Sequence, residues 1–276
     1  MLKQRILTAV ILAPLLIWAI LALPAGYFSL LIGAVFLLAA WEWSALSGLS
    51  KPLARLSYLL LLLILMVLMS GVISKNTMLI ALLLVVTVAC WIAVLLWLYR
   101  QEKVGEKLHL ATSTRLALGL IVLLMPYTGL VGLGIEFEQG RHLILFLMLL
   151  IWCADIAAYF VGRAFGKHKL APHISPGKSW EGVFGALLFT LLLALVGSHV
   201  LGYGDSAYLY LTVLSMIVVV FSIAGDLFES MIKRQAGVKD SGQLLPGHGG
   251  MLDRIDSLTA AAPVFAAGMY LLRVMS

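Results

Sequence analysis

Long apolar runs constrain the fold of this chain more than any other feature of its sequence. A helix needs about 20 apolar residues to cross the hydrocarbon core of a bilayer, and its backbone polar groups must be paired within the helix. Nine runs approach that length, at 6–23, 27–46, 56–73, 78–98, 116–134, 143–161, 183–201, 207–225 and 258–273. The sequence therefore predicts an all-α, polytopic integral membrane bundle of about nine transmembrane helices.

The composition excludes several other classes of protein. Of the 276 residues, 62% are hydrophobic and 12% are charged, and the mean hydropathy is +1.06. A soluble domain carries about 25% charged residues. A water-soluble domain of this composition would have to expose much of its surplus apolar surface. A soluble enzyme, a disordered chain and a disulfide-stapled secreted domain are thereby excluded.

The positive charges predict the orientation of these spans in the membrane. With the N-terminus in the cytoplasm, the outer segments contain Lys75, Arg141 and Arg273, and the other sixteen of the nineteen lysines and arginines lie inside. Cytoplasmic loops of membrane proteins carry an excess of these residues. We therefore expect a cytoplasmic N-terminus. If the protein is bacterial, we expect it in the cell (inner) membrane.

Two of the inner segments carry most of the candidate chemistry. Residues 162–182 and 226–257 combine six of the thirteen acidic residues with Gly, Pro, Ser and His, whereas 99–115 is interpreted as a solvated connector. The chain is accordingly divided into N-terminal transmembrane helices at 1–140 and a catalytic part at 141–276. The active site is expected at the cytoplasmic face of that second part.

The segment after the eighth span has the composition of a site for a metal-bound polyphosphate. The eighth helix is predicted to continue past the membrane, because Ser222, Asp226, Ser230 and Arg234 recur at every fourth position. A glycine-rich turn follows, and then Asp253 and Asp256, which are expected to point to one side of the last helix. Mg²⁺ takes carboxylate and phosphate oxygens, while neighbouring Lys and Arg residues neutralise the remaining phosphate charge.

The segment before the seventh span is interpreted as a capped helix start. Ser175 is a candidate N-cap with Pro176 at the first helical position, so that Lys178 and Ser179 fall in the first turn. Free N–H groups in that turn favour anions. The spacing of a P-loop is absent.

The stretch from Ser230 to Asp256 resembles the signature of the phosphatidate cytidylyltransferase family (CDP-diacylglycerol synthases). The segments 155–167 and 175–181 also resemble blocks of that family, with Ser179 where Thr is common, so that the resemblance covers 152–256. The polar and glycine positions shared with the signature are Ser230, Lys233, Arg234, Lys239, Asp240, His248, Gly249, Gly250, Asp253, Arg254 and Asp256.

This resemblance implies transfer of a cytidylyl group from CTP to phosphatidate, giving CDP-diacylglycerol and pyrophosphate. The cofactor implied is Mg²⁺, with Mn²⁺ able to substitute. The partners are CTP, phosphatidate and membrane lipids, with no nucleic acid, and a homodimer is left open. A CTP-dependent lipid-alcohol kinase of the polyprenol or phytol type remains the alternative, because it would share the same machinery.

The roles that we assign with this resemblance in hand are specific to each residue. The metal or its bound water is assigned to Asp226, Asp253 and Asp256, with Asp240 as a fourth candidate. The group assigned to catalysis comprises Lys239, Asp240, Asp253, Asp256 and Asp226. The group assigned to substrate binding comprises Ser175, Lys178, Ser179, Lys233, Arg234, His248, Gly249, Gly250, Arg254, Asp155 and Tyr159.

Alternatives stay open for His248, for a polar row on the sixth helix and for Glu42, which has no role in these sets. His248 is either a phosphate donor or a structural turn residue. Asp155, Tyr159 and Arg163 share a face of the sixth helix and are either a polar wall for the lipid phosphate or internal hydrogen-bonding groups. Glu42, which lies between two tryptophans near the inner end of the second helix, is either an interfacial residue or a member of the site, and the interfacial interpretation is favoured.

Overall fold

The structure is a computed structural model, and it describes residues 2–73, 75–104, 110–244 and 249–275. The side chains of 2–9, 104, 205–206 and 275 lie outside this description. His248 also lies outside the described residues, so that both interpretations of it stay predictions.

The described residues form nine α-helices and one two-stranded antiparallel sheet. In chain order they are α1 (Leu2–Ala22), α2 (Ala25–Leu46), α3 (Pro52–Ile73), α4 (Thr77–Val104), α5 (Thr112–Glu136), α6 (Gly140–Phe165), β1 (Lys169–Ala171), β2 (Ser175–Ser179), α7 (Trp180–Val200), α8 (Asp205–Gln235) and α9 (Leu252–Met275). The predicted all-α membrane fold is confirmed, and the short hairpin of β1 and β2 is an addition to it.

Eight of these helices, α2 to α9, are long and apolar enough to cross a membrane. Within α1, the residues with described side chains form a shorter apolar stretch, Val10–Ala22. That α1 forms a ninth span therefore stays a prediction. The helices predicted from hydropathy all form, although α9 begins at Leu252, earlier than its apolar core. The expected extension of the eighth helix is confirmed, since α8 runs to Gln235.

Helix α9 lies at the centre of the bundle and is buried over most of its length, in contact with α5 and α8. Its middle is a run of small residues, Ala260, Ala261 and Ala262, all fully buried. Small residues let helix backbones approach closely in a membrane, where packing replaces the hydrophobic effect as the driving force. The central position of α9 places its first turn, which carries Asp253 and Asp256, in the middle of one end of the bundle.

The two ends of the bundle differ in their positive charges. At the end opposite the signature, Arg141 donates from Nη1 to the carbonyl oxygen of Leu21 (2.7 Å), and Arg273 pairs with Glu136 (3.3 Å). These two arginines are among the three cations that the sequence assigns to the outer side. The signature residues lie at the opposite end, as do the C-terminal ends of α4, α6 and α8. Which end faces the cytoplasm stays a prediction.

Candidate active site

The β1–β2 hairpin brings one lysine of the site into place. Ser179, at the end of β2, is the N-cap of α7, and its Oγ accepts a hydrogen bond from the Gly182 N–H (3.2 Å). Ser175 lies in β2, four residues earlier, so the prediction that Ser175 is the N-cap is wrong. The prediction that Lys178 and Ser179 lie in the first helical turn is wrong for the same reason. The strand continues to Ser179 because the antiparallel pairing with Lys169 satisfies the backbone there.

Lys178 points from the end of β2 to a carboxylate on α8. Its Nζ lies 2.7 Å from Oδ2 of Asp226, and both side chains are about one-quarter exposed. The other oxygen of Asp226 accepts a hydrogen bond from Ser230 Oγ, one turn further along α8 (3.3 Å). Asp226, a member of the polar stripe predicted on α8, therefore faces the hairpin, and it meets Lys178 although 48 positions separate the two in the sequence.

Three carboxylates from three helices gather beside this ion pair. Asp256 of α9 interacts electrostatically with Asp226 and with Asp155 of α6, and Lys178 offsets part of their repulsion. Asp256 accepts one hydrogen bond at Oδ1, from the N–H of Ser257 (2.7 Å). Like charges this close are stabilised by cations, and the arrangement suits a site that binds a metal ion together with phosphate oxygens.

A second, more deeply buried ion-pair group adjoins the first. Lys233 of α8 lies 2.9 Å from Glu229 Oε1 and 2.6 Å from Asp253 Oδ1, and all three side chains are at most one-tenth exposed. Glu229 interacts electrostatically with Asp256 as well as Asp253. It therefore links the two groups. Burial of charges is costly unless they are paired, so Lys233 supports both carboxylates.

Asp253 is held by donors at both of its carboxylate oxygens. Oδ1 accepts from Lys233, and Oδ2 accepts from the N–H groups of Ser241 (2.9 Å) and Gly250 (2.8 Å), with Ser241 Oγ at 3.0 Å. These bonds join the end of α8, the following loop and the first turn of α9. Asp253 and Asp256 therefore have different bonding partners, a difference that their spacing along the helix does not predict.

Glu42 is a member of the site, and its interpretation as an interfacial residue is wrong. The residue is 7% exposed. Its Oε1 accepts from the N–H of Met251 (2.9 Å), and its Oε2 accepts from the N–H of Leu252 (2.8 Å) and from Ser241 Oγ (2.8 Å). The first N–H groups of a helix lack partners within it, and a negative charge is favoured there. Glu42 of α2 thus caps α9.

Two glycines of the signature allow the loop to close on these carboxylates. Gly249 has a φ of +81°, which favours glycine, and a side chain there would meet Asp253 Oδ2. A Cβ at Gly250 would collide with Ser241 Oγ and Glu42 Oε2. Both glycines therefore lie close to carboxylates of the protein itself, and their assignment to substrate binding stays a prediction.

The remaining candidate residues are exposed at this end of the bundle. Arg234, Lys239, Asp240 and Arg254 are all exposed, which leaves them accessible to a polyphosphate. Arg234 donates from Nη1 to the carbonyl oxygen of Val238 (3.2 Å), and Arg254 interacts electrostatically with Asp155. Tyr159 accepts a hydrogen bond at its hydroxyl from Arg163 Nη1 (2.8 Å). Tyr159 and Asp155 are both exposed, and Asp155 interacts electrostatically with Asp226.

The connector at 99–115 contributes to the site more than the sequence predicted. Glu102, near the end of α4, accepts from the backbone N–H of His173 (3.1 Å) and pairs with Nδ1 of the same residue (2.7 Å). At the base of the hairpin, Glu181 pairs in the same way with His168. The interpretation of Glu102 as part of a solvated connector is wrong, since these two pairs hold the hairpin that carries Lys178.

The residues that the sequence reasoning missed are Glu42, Glu229 and Ser241. Glu229 had a usable signal, because it lies four positions before Lys233 on α8. Glu42 also had one, since a carboxylate within an apolar span is by default a functional candidate. Ser241 occupies a variable position of the signature, and nothing in its spacing marks it.

The availability of carboxylate oxygens separates the candidate metal ligands. Asp226 and Asp256 retain acceptor positions beyond their bonds to Lys178, Ser230 and Ser257, whereas both oxygens of Asp253 are engaged. In the part of the chain that the structure describes, no three His, Cys, Asp or Glu side chains are already arranged as a metal site. That the carboxylates near Lys178 hold Mg²⁺ stays a prediction, and a bound ion would compete with that lysine for Asp226.

Comparison with known proteins places these residues in a family. The model of the cytidylyltransferase family matches residues 3–272. This chain belongs to the cytidylyltransferase family. It is similar to the phosphatidate cytidylyltransferase of Pseudomonas aeruginosa, with 46% identity over 273 residues that cover 97% of this chain and 96% of the relative.

Other relatives show the same correspondence over nearly their full length. The phosphatidate cytidylyltransferase of Haemophilus influenzae is 40% identical over 283 residues, covering 96% of this chain and 98% of the relative. The phosphatidate cytidylyltransferase of Brucella suis is 36% identical over 280 residues, covering 95% of this chain and 90% of the relative. The similarity to these relatives therefore extends through α1 to α5, which lie outside the signature segment.

Proposed function

We propose that this enzyme transfers the cytidylyl group of CTP to phosphatidate, giving CDP-diacylglycerol and pyrophosphate. The observation that carries the proposal is that family-matching segments distant in sequence converge on one end of the bundle, through the Lys178–Asp226 and Lys233–Asp253 pairs. The relatives that bear the name phosphatidate cytidylyltransferase match nearly the whole chain. A lipid substrate also suits a site at the end of apolar helices.

The reaction needs no nucleophile from the protein. A phosphate oxygen of phosphatidate attacks the α-phosphorus of CTP, the bond from that phosphorus to the bridging oxygen breaks, and pyrophosphate leaves with the electron pair. Catalysis can therefore rest on positioning and on neutralisation of charge. The exposed cations Arg234, Lys239 and Arg254 lie where they can neutralise the triphosphate, and Lys178 extends the positive surface from the hairpin.

We assign Mg²⁺ to Asp226 and Asp256, with Asp155 beside them and Mn²⁺ able to substitute. When bound, the ion supplies charge neutralisation for the phosphate oxygens. Lys178 would then be released from Asp226 and become available to a phosphate. Asp253 is proposed to position the loop rather than to ligate, since its oxygens are occupied by donors. Asp240 is exposed close to Gly249 and remains a further candidate ligand.

The site is proposed to face the cytoplasm, because most of the cations lie at its end of the bundle. CTP is then supplied from the cytoplasm, and phosphatidate arrives from the surrounding membrane lipids. Formation of a homodimer stays a prediction.

A matched pair of lysine variants tests this proposal. The purified protein in detergent should release pyrophosphate only when CTP, phosphatidate and Mg²⁺ are all present. Lys178→Ala should lower turnover by about 100-fold or more, because a cation at the phosphates is lost. Lys169→Ala on the other strand of the hairpin removes an exposed lysine and should change turnover less than about twofold. Equal activity of the two variants would contradict the assigned role of Lys178.

A further inference from the structure

A cavity of about 320 Å³ opens beside the buried carboxylates, and the proposed reaction leaves it without a role. It lies between the end of α2, the beginning of α3 and the loop that follows α8. Its lining includes Trp41 and Glu42 of α2, Arg55 of α3, and Ser241 and Gln243 of the loop. A volume of this size is at the lower end of the range of small-molecule sites in proteins.

The groups that line this cavity can bind a flat polar ring. The guanidinium carbon of Arg55 lies 5.3 Å from the ring centroid of Trp41. Arg55 donates from Nε to the carbonyl oxygen of Leu49 (2.7 Å), and in the described residues its terminal nitrogens have no acceptor. Glu42 Oε1 accepts one hydrogen bond, from Met251, and retains a second acceptor position. The cavity thus combines an aromatic ring with donors and an acceptor.

The balance of charge in the cavity argues against a phosphate as the occupant. One cation, Arg55, faces one carboxylate, Glu42, and a phosphate would be repelled by that carboxylate. The exposed cations that suit phosphates are elsewhere at this end, at Lys239 and Arg254. An uncharged ring whose edge carries both a donor and acceptors matches the cavity better. Cytosine has such an edge: its N4 amino group donates, and its N3 and O2 atoms accept.

We propose that this cavity binds the cytosine base of CTP and provides the enzyme's selectivity for cytosine. The inference rests on the proposed function, because it locates the base of CTP, which is a substrate of the proposed reaction. Trp41 stacks on the ring, the terminal nitrogens of Arg55 donate to O2 or N3, and Glu42 Oε1 accepts from N4.

The cavity is adjacent to the groups assigned to the phosphates. Ser241 lines the cavity and also contacts Asp253, with 3.0 Å between Ser241 Oγ and Asp253 Oδ2. Lys239 and Asp240 immediately precede Ser241 in the loop. A nucleotide with its base in the cavity can therefore extend its phosphates along this loop toward the cations.

Two variants that remove base contacts test the proposal. Trp41→Ala and Arg55→Gln should each raise the KM for CTP by about tenfold or more, as expected when stacking or hydrogen bonding to a base is lost. The kcat and the KM for phosphatidate should remain within about twofold. Arg55→Gln should also reduce the ratio of kcat/KM for CTP to that for UTP, because uracil presents a different donor and acceptor pattern.

Trp18→Ala and Lys51→Gln are the matched controls, since both residues are exposed and lie outside the lining of the cavity. Both should keep the KM for CTP and the CTP-to-UTP ratio of the parent enzyme. If Trp41→Ala fails to fold, Trp41→Phe, which keeps a smaller ring, should give an intermediate rise in the KM for CTP, and Arg55→Gln tests the edge of the base independently.

The possible results separate this inference from the proposed function. An active parent enzyme with an unchanged KM for CTP in both cavity variants overturns the cytosine site and leaves the proposed function standing. A rise in the KM for phosphatidate alone also overturns it, since the cavity would then bind the lipid headgroup. A parent enzyme that forms no CDP-diacylglycerol from CTP contradicts the proposed function itself.

Discussion

Glu42 Oε2 accepts a hydrogen bond from Ser241 Oγ over 2.8 Å, although 199 positions separate the two residues. Ser241 also contacts Asp253, so a carboxylate of α2 and a carboxylate of α9 meet at one hydroxyl group. The N-terminal helices thereby fix the position of the signature loop. The division into N-terminal helices at 1–140 and a catalytic part at 141–276 stays a prediction. Glu42, a residue of the first part, nevertheless contacts the candidate site.

Glu42→Gln is expected to lower both stability and turnover. An amide has one acceptor oxygen, so at least one of the donors from Ser241, Met251 and Leu252 loses its partner, and a buried unpaired donor costs about 1–3 kcal/mol. Thermal unfolding in detergent and pyrophosphate release should both report the change. Glu138→Gln, an exposed residue at the other end of the bundle, is the control and should match the parent enzyme. Parent-like stability of Glu42→Gln would contradict the capping role.

Asp253→Asn should destabilise the protein as well as inactivate it. The amide leaves Lys233 with a single carboxylate, Glu229, and turns an N–H donor toward other donors. Breaking a buried ion pair costs about 3–5 kcal/mol. We expect a lower unfolding temperature together with a loss of turnover that Mg²⁺ does not restore. Parent-like stability with a raised Mg²⁺ requirement would instead identify Asp253 as a metal ligand.

Asp256→Asn is expected to show the opposite pattern. Its one described hydrogen bond, from Ser257, can be kept by the amide oxygen, so the unfolding temperature should change little. Turnover should fall by several powers of ten, because the charge that offsets the metal is lost. The measurement is turnover across Mg²⁺ and Mn²⁺ titrations beside thermal unfolding. Near-parent activity with an unshifted metal optimum would remove Asp256 from the metal site.

The orientation in the membrane can be tested by thiol labelling. The two native cysteines, Cys90 and Cys153, are free and would first be replaced by serine. Ser50→Cys and Lys103→Cys should then react with an impermeant reagent only after the inner face is opened, whereas Glu138→Cys should react in intact cells. Labelling of position 103 from outside would contradict the cytoplasmic site.

The sequence predicted the helices well because membrane helices obey a simple rule. Each span must be long, apolar and internally hydrogen-bonded, so hydropathy alone locates it. The extension of α8 was also predictable, since Asp226, Ser230 and Arg234 keep the helical period. The hairpin was missed because Ser175 and Pro176 satisfy the local pattern of a helix start equally well, and the pairing with β1 decides between the two.

The candidate site was predictable in location and less so in detail. The cations and carboxylates of the signature do gather at one end of the bundle, but spacing along a helix could not show that Asp253 and Asp256 have separate partners. Asp253 pairs with Lys233 of α8, whereas Asp256 lies near the carboxylates of Asp226 and Asp155, and such contacts depend on how helices pack. The interpretation of Glu42 was wrong for the same reason, because its hydrogen-bond donors include backbone N–H groups more than 200 positions away.

The fate of the phosphates of CTP tests the central claim most directly. The purified enzyme, given phosphatidate, Mg²⁺ and CTP labelled at either the α- or the γ-phosphate, would be extracted for lipids. We predict that the α-label enters the lipid fraction as CDP-diacylglycerol and that the γ-label leaves as pyrophosphate. Transfer of the γ-label to a lipid, with the α-label retained in soluble CDP, would contradict cytidylyl transfer and indicate a kinase.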